Sequence, residues 1–244
     1  MPTFAELKSE YDDLWRSMLI RPDKSDAVGR IACALIAHKP RYQGVEAKTG
    51  VPWFVIAALH DRESDADFET YLGNGEPLDR TSRLVPDGRG PFASWEEGAI
   101  DALAFDGLDR VKAWTPARAC YEIEKFNGFG YRNHHRQVKS PYLWSFSNHY
   151  ACGKYVADGR FSTDAVDAQC GAIPLLKRIM ELDRTARFKT STTLETTAGG
   201  AVIAGGGAAA IAHGGSAETI ALIVAVSAAL AVATYFAVRW SRHR

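Results

Sequence analysis

This sequence of 244 residues has no net charge, few cysteines and no basic segment at its N-terminus. The 29 basic side chains balance the 29 acidic ones, which argues against the basic face that nucleic-acid binding normally requires. Cysteine occurs four times and never as a CxxC pair, so the sequence predicts no metal site. The N-terminus carries acidic residues early and lacks the basic start and apolar core of a secretory signal. We therefore expect neither a nucleic-acid partner nor a metal or other cofactor.

The four cysteines lie far apart, in helical or apolar surroundings. We expect Cys33, Cys120, Cys152 and Cys170 to be buried free thiols, because unpaired cysteine behaves as a small apolar side chain. The alternative is a disulfide bond between Cys152 and Cys170.

Apolar residues recur at helical spacing through most of residues 1–189. The predicted helices are 3–20, 25–38, 41–49, 52–64, 94–105, 116–126, 147–157 and 164–184. Residues 68–91 contain four glycines and three prolines, which favours a hairpin or an irregular lobe, and residues 127–147 are predicted to form a loop. The sequence thus predicts a mostly α domain with a small β-hairpin lobe.

A second part of the chain follows this domain. Residues 190–197 form a Thr-rich linker, and residues 198–214 are rich in Gly and Ala. Residues 219–238 are twenty residues without a charge, enough for a transmembrane helix across a hydrocarbon core of about 30 Å. The basic tail 239–244 should stay on the cytoplasmic side.

The Gly/Ala-rich segment leaves two topologies open. As a linker it gives a single span, which places the N-terminal domain outside the cytoplasm, and we prefer this arrangement. As a weak second span it gives a helical hairpin whose small residues allow close packing.

The strongest chemical signal is a carboxylate at the end of an apolar helix. Residues 52–64 form an almost wholly apolar run that ends at Glu63, and a turn-rich stretch follows at once. Burial raises the pKa of a carboxyl group, so that it stays protonated near neutral pH. Glu63 is therefore the candidate general acid of a glycosidase.

Several motifs carry a resemblance to known enzymes. His60-Asp61-Arg62-Glu63-Ser64 resembles the end of the catalytic helix in goose-type lysozymes and soluble lytic transglycosylases. A further set of motifs resembles a family of phage and prophage endolysins of Gram-negative hosts, some of which carry a C-terminal membrane segment. These motifs are Asn74-Gly75-Glu76-Pro77-Leu78, Arg80-Thr81, Trp95-Glu96-Glu97, Phe126-Asn127-Gly128-Phe129-Gly130-Tyr131, Ser140-Pro141-Tyr142-Leu143-Trp144-Ser145 and Ser147-Asn148-His149-Tyr150. The resemblance covers about residues 40–180 and implies a lysozyme-like fold that cuts the glycan strands of peptidoglycan.

A glycosidase also needs a group that stabilises the oxocarbenium-like centre or activates water. Glu76 lies thirteen residues after Glu63, beyond a Gly-Asn-Gly turn, and the resemblance implies an acidic residue there. Asp79 and Asp87 are rivals in the same lobe. The resemblance to phage lysozymes suggests that Thr81 holds the attacking water.

Residues 126–150 combine flat aromatic rings with hydrogen-bonding groups, the usual mixture in a ligand pocket. The same aromatic residues also suit core packing. The candidate sugar-binding residues are Asn127, Phe129, Tyr131, Tyr142, Trp144, Asn148 and His149.

The leading hypothesis is a membrane-tethered endolysin with muramidase activity, acting on peptidoglycan in the periplasm from the bacterial inner membrane. Glu63, Glu76 and Thr81 are its predicted catalytic residues. One alternative is a lytic transglycosylase, in which Glu63 acts alone and the products are 1,6-anhydro sugars. A second is a holin-like membrane-lesion protein whose N-terminal domain only binds peptidoglycan.

Overall fold

A computed structural model describes residues 1–157 and 159–188. This part of the chain is mostly helical, with a small two-stranded antiparallel sheet, which confirms the predicted mostly α fold with a β-hairpin. The α-helices are α1 (Phe4–Ser17), α2 (Ser25–Ala37), α3 (Lys39–Thr49), α4 (Trp53–Ser64), α5 (Trp95–Phe105), α6 (Pro116–Asn127), α7 (Gly130–His134), α8 (Pro141–Trp144) and α9 (Ala172–Leu182). Pro22–Lys24 and Leu108–Arg110 form short 3-10 helices.

Helix α4 lies at the centre of the core. Its first nine residues, Trp53–Asp61, are all buried, and it packs against α3 and α9. A helix that is apolar on every face can be accommodated only where neighbours surround it, so the sequence of α4 requires this central place. The helix ends at Ser64 and is capped by Asp65, which adopts a left-handed conformation with φ 51°. The backbone N–H groups of Asp65 and Ala66 donate to the last carbonyls of the helix.

Side chains cap the starts of α1, α5 and α6. Thr3 and Glu6 form a reciprocal capping box at the start of α1. Thr115 caps α6, and Pro116 occupies its first helical position. Helix α1 packs against α6, α2 against α9 and α3 against α5, so the apolar stripes predicted from the sequence meet in one core.

Residues 68–91 form an irregular lobe rather than a regular hairpin. One isolated antiparallel bridge joins Thr70 to Pro77, and Tyr71 donates its backbone N–H to the carbonyl of Glu76. A two-stranded hairpin occurs later, between β1 (Lys154–Ala157) and β2 (Arg160–Ser162), with a shift of register between Tyr155 and Ala157. Tyr155 is paired with Phe161 in its register.

Three predicted elements differ from the structure. The helix expected at 147–157 is wrong, since Gly153 has a φ of 94° that no α-helix accepts and β1 follows it. The helix expected at 164–184 begins only at Ala172. A Cβ atom on Gly171 would lie 2.5 Å from the Leu143 carbonyl oxygen, so the chain before α9 runs extended against that segment. The loop expected at 127–147 contains the short helices α7 and α8.

All four cysteines are free thiols. Cys120 and Cys170 are buried as expected, whereas Cys33 and Cys152 are exposed, so the expectation of burial was wrong for two of the four.

Within residues 1–157 and 159–188, no helix is long and apolar enough to cross a membrane. The predicted linker 190–197, Gly/Ala-rich segment 198–214, transmembrane helix 219–238 and basic tail 239–244 all lie outside the described residues.

Candidate active site

Glu63 lies in the last turn of α4 and is half-buried. Burial raises the pKa of its carboxyl group above the ordinary value, although a hydrogen bond from Tyr142 and the charge of Arg62 act in the opposite direction. The Tyr142 hydroxyl donates to Glu63 Oε1 at 2.5 Å. Glu63 therefore combines a raised pKa with a side-chain orientation held by Tyr142.

Tyr142 reaches Glu63 from α8, 79 residues further along the chain. Its side chain is buried, and the Arg62 guanidinium lies 4.8 Å from the centroid of its ring. Burial and the neighbouring Glu63 carboxyl raise the pKa of the Tyr142 hydroxyl well above its usual range, so it remains a donor at every relevant pH.

A buried ion pair fixes the end of α4 from the other side. Arg62 donates to the Asp167 carboxylate at 3.1 Å and to the Cys170 carbonyl oxygen at 3.0 Å. Lys154 donates to the second Asp167 oxygen at 2.9 Å. Although burial alone would raise the pKa of Asp167, its hydrogen bonds and these two cations lower it, so the carboxylate is ionised.

Glu63 faces an open groove of about 560 Å³. The groove is lined by Arg62, Glu63, Asp65, Lys154, Val166, Asp167, Ala168 and Gln169. Gln169 closes it against the helix end, because its amide donates to the carbonyl oxygen of Asp61 at 2.8 Å and to the Asp65 carboxylate at 3.1 Å. The groove thus lies at the C-terminal end of α4, with Glu63 among its lining residues.

Glu76 lies in a different environment. Its Oε2 atom accepts hydrogen bonds from the Ser82 hydroxyl at 2.8 Å and from the backbone N–H groups of Arg83 and Leu84, each at 2.7 Å. The Leu84 hydrogen bond leads the causes that lower the pKa of Glu76. The preceding Gly75 packs on the end of α4, since a Cβ atom there would lie 3.6 Å from the Glu63 backbone oxygen. Glu76 is therefore an ionised carboxylate. The turn at Gly75 that precedes it lies close to the backbone oxygen of Glu63.

The other candidates in the lobe are exposed side chains. Thr81, Asp79 and Asp87 all face solvent on the segment that links α4 to α5. Among the described contacts, none of these three is bonded to Glu63.

Of the seven candidate sugar-binding residues, Tyr142 is the one that contacts Glu63 in the described structure. Phe129 packs on Tyr121, Tyr131 packs on the β-hairpin, and Trp144 is buried in the core. Asn127 is exposed at the end of α6.

The remaining two sugar-binding candidates anchor α1. The Asn148 side chain accepts from the Leu19 backbone N–H at 2.9 Å and donates to the Ser17 carbonyl oxygen at 3.1 Å. His149 Nε2 lies 2.9 Å from the Leu14 carbonyl oxygen. In this structure both side chains are engaged in holding α1 rather than facing Glu63.

Two acidic residues near this site, Asp167 and Asp106, were not predicted from the sequence. Asp106 caps the end of α5 and is half-buried, which raises the pKa of its carboxyl group. Its negative charge also contributes to the raised pKa of Glu63. Neither residue stands in a motif, and only long-range packing brings them to the end of α4, so no local signal marks them.

No group of three or more His, Cys, Asp or Glu side chains within the described residues is arranged to hold a metal ion. Comparison of the chain with protein-family models, curated proteins and solved structures gives no match.

Proposed function

We propose that this protein is a glycoside hydrolase that cleaves the β-1,4 bond between N-acetylmuramic acid and N-acetylglucosamine in peptidoglycan. The observation that carries the proposal is the environment of Glu63. This residue has a carboxyl group of raised pKa, lines an open groove and is oriented by a buried tyrosine. A general acid that must be protonated near neutral pH needs the first two properties, and the third supplies the positioning.

In the proposed reaction Glu63 donates its proton to the glycosidic oxygen while the bond from that oxygen to the anomeric carbon breaks. Water adds to the anomeric carbon from the opposite face and loses its proton to Glu76, with Thr81 orienting the water. An inverting reaction of this kind requires carboxyl groups roughly 6.5–9.5 Å apart, which leaves room for the water. The ionised state of Glu76 suits both proton acceptance and stabilisation of positive charge at the anomeric carbon.

The hydrogen bonds of Glu76 also favour a second candidate function, that of a lytic transglycosylase. One oxygen of Glu76 already accepts three hydrogen bonds, which makes this carboxylate a weaker base than an ordinary glutamate. Without a second base, the C6 hydroxyl of the muramic acid would attack the anomeric carbon and return its proton to Glu63. The product would be a 1,6-anhydro sugar.

We propose further that the protein acts in lysis of the host cell, as an endolysin held at the bacterial inner membrane with the enzymatic domain in the periplasm. The support is the uncharged segment 219–238 with its basic tail and the motifs that resemble endolysins. Detection of the protein in the membrane fraction of expressing cells, and its loss from that fraction when residues 215–244 are deleted, would test the tether.

The activity is tested by digesting purified peptidoglycan with the full-length protein in mild detergent and reading the fragment ends by mass spectrometry. We expect reducing N-acetylmuramic ends that disappear in Glu63→Gln. Glu69→Gln is the matched control, because Glu69 is an exposed glutamate of the same lobe. Anhydro ends that depend on Glu63 would establish the transglycosylase instead. Unchanged cleavage by Glu63→Gln, or no cleavage by the unmodified protein, would refute both reactions.

A further inference from the structure

A second cavity lies away from the Glu63 groove, between the N-terminal segment with α1, the helix α7 and residues 136–140. Its volume is about 430 Å³, within the range usual for small-molecule sites. Its apolar wall consists of Pro2, Leu7, Val138 and Trp144. Its polar lining consists of Glu10, Glu124, Arg132, Asn133, Arg136, Lys139 and Ser140.

Ser140 is the unusual member of this lining. The residue is 4% exposed, and its hydroxyl group has no hydrogen-bond partner anywhere in the described part of the chain. Buried hydroxyl groups are normally paired, because desolvation without a compensating hydrogen bond is unfavourable. Ser140 thus leaves one buried hydrogen-bond donor unused among the residues that line the cavity.

The charges around the cavity do not balance. Glu10 accepts hydrogen bonds from Arg132 at 2.8 Å and from Lys139 at 2.6 Å. Glu124 accepts from Arg132 at 2.9 Å and also from the Tyr11 hydroxyl. The two carboxylates therefore account for two of the three cations. Arg136 is exposed and forms no ion pair with any residue that the structure describes.

The cavity and the Glu63 groove share no lining residue. They lie on different sides of α8, because Tyr142 is directed at Glu63 whereas Ser140 and Trp144 line the cavity. A ligand in the cavity would therefore not compete directly for the Glu63 carboxyl group.

We propose that this cavity binds the carboxylate of a short peptide, with Arg136 and the Ser140 hydroxyl as its donors and the apolar wall against an aliphatic side chain. Guanidinium groups match carboxylates by a pair of parallel hydrogen bonds, and one uncompensated cation suits one carboxylate. Assigning the peptide as the stem peptide of peptidoglycan rests on the proposed function. The site would then hold the polymer at a second point, separate from the glycan groove.

The test is isothermal titration calorimetry on the full-length protein in mild detergent. The probe is the stem tetrapeptide L-alanyl-γ-D-glutamyl-meso-diaminopimelyl-D-alanine. The same peptide with all its carboxyl groups amidated and inorganic phosphate are the comparison ligands. We expect Arg136→Gln to weaken binding of the tetrapeptide by about tenfold, the usual loss for one charge-assisted hydrogen-bonding partner. Ser140→Ala should weaken it by less, and the amidated peptide should bind at least as poorly as the tetrapeptide does to Arg136→Gln.

Arg30→Gln is the matched control, since Arg30 is an exposed arginine on α2, outside the cavity. No binding of the tetrapeptide, unchanged affinity in Arg136→Gln, or equal binding of phosphate would each overturn the proposal. Arg136 is a surface residue, so this variant remains informative even if Ser140→Ala fails to fold. Peptidoglycan cleavage measured on the same samples separates the two proposals. Cleavage without peptide binding refutes the cavity site alone, and peptide binding without cleavage refutes the proposed activity alone.

Discussion

Glu63 at the end of α4 and Glu76 in the lobe of residues 68–91 differ in the direction in which their surroundings move the pKa of the carboxyl group. Glu63 is half-buried, and burial raises its pKa. Glu76 stands on the lobe, where backbone and hydroxyl donors around one of its oxygens lower its pKa. Thirteen residues of chain separate them, yet Gly75 brings the lobe back against the backbone of Glu63.

The contrast lies in two opposite pKa shifts within one chain, upward for the Glu63 carboxyl group and downward for that of Glu76. Burial at the end of the apolar helix α4 raises the pKa of the Glu63 carboxyl group, despite the opposing hydrogen bond from Tyr142 and the charge of Arg62. A carboxyl group kept ionised needs donors, which the irregular backbone of the lobe supplies at residues 82–84. Paired acids whose pKa values are moved apart are the arrangement on which acid–base catalysis relies.

The largest effect should come from removing the proposed proton donor, Glu63. We expect Glu63→Gln to lower the rate of peptidoglycan cleavage by about 10²- to 10⁴-fold, the range for loss of a general acid. Glu76→Gln should cause a loss of the same order if Glu76 is the base of a hydrolase. The measurement is the initial rate of turbidity loss of purified peptidoglycan, with Glu69→Gln as control. Nearly full activity of Glu76→Gln would mean that Glu63 acts in catalysis without Glu76.

A large effect on stability is expected at the ion pair that holds the α4 end. In Asp167→Ala the Arg62 guanidinium would remain buried without its carboxylate, since the two side chains are 8% and 6% exposed. Removing one partner of a buried pair costs about 3 kcal/mol or more of the free energy of unfolding. The melting temperature should fall by roughly 10 °C for a domain of this size.

Asp164→Ala is the matched control for this variant, because Asp164 is an exposed aspartate on the same segment. Its melting temperature, followed by circular dichroism, should stay close to that of the unmodified protein, as is usual for exposed sites. Equal melting temperatures of Asp167→Ala and Asp164→Ala would show that the ion pair does not hold the end of α4.

Tyr142→Phe tests the positioning of Glu63 at a smaller scale. The phenylalanine keeps the ring but removes the hydrogen bond to Glu63 Oε1. Since that bond lowers the pKa of Glu63, its loss should raise the pKa further and move the alkaline limb of the pH–rate profile to higher pH. The maximal rate should fall by about tenfold, because a hydrogen bond of about 1.5 kcal/mol is lost.

The control for Tyr142→Phe is Tyr155→Phe, whose hydroxyl group forms no hydrogen bond within the described residues. It should leave both the rate and the pH profile unchanged. A lower rate in Tyr142→Phe without movement of the alkaline limb would indicate a purely structural role for Tyr142.

Local sequence predicted helix α4 and Glu63 better than it predicted the long-range partners of α4 or the position of the hairpin. Helix α4 and its terminal Glu63 were predicted because an apolar run and a following turn are short-range signals. The ring of Tyr142 was predicted as a sugar platform, but its bond to Glu63 spans 79 residues and depends on how α8 packs. The partner of Arg62 lies 105 residues away, beyond the reach of any spacing rule. The hairpin was sought in the Gly- and Pro-rich lobe, whereas aromatic pairing of Tyr155 with Phe161 forms it elsewhere.

The smallest effect, and the most direct comparison of the two carboxyl groups, is the dependence of stability on pH. The pKa of Glu63 is raised in the folded state, so the folded protein binds more protons there than the unfolded chain. The contribution of Glu63 to stability is therefore present at low pH and declines as the pH rises through the raised pKa. Relative to the unmodified protein, Glu63→Gln should gain melting temperature as the pH rises.

Glu76 should behave in the opposite way, because its pKa is lowered in the folded state. Its contribution is present above the ordinary glutamate pKa and is lost as the pH falls through the lowered value. Glu76→Gln should therefore be less stable than the unmodified protein near neutral pH and should approach it in acid. Melting temperatures of both variants, taken between about pH 3 and pH 8 where carboxyl groups titrate, provide the measurement. If the melting temperatures of the two variants changed with pH in the same way, the pKa values of Glu63 and Glu76 would not be shifted in opposite directions. The proposed division of roles between a protonated Glu63 and an ionised Glu76 would then be wrong.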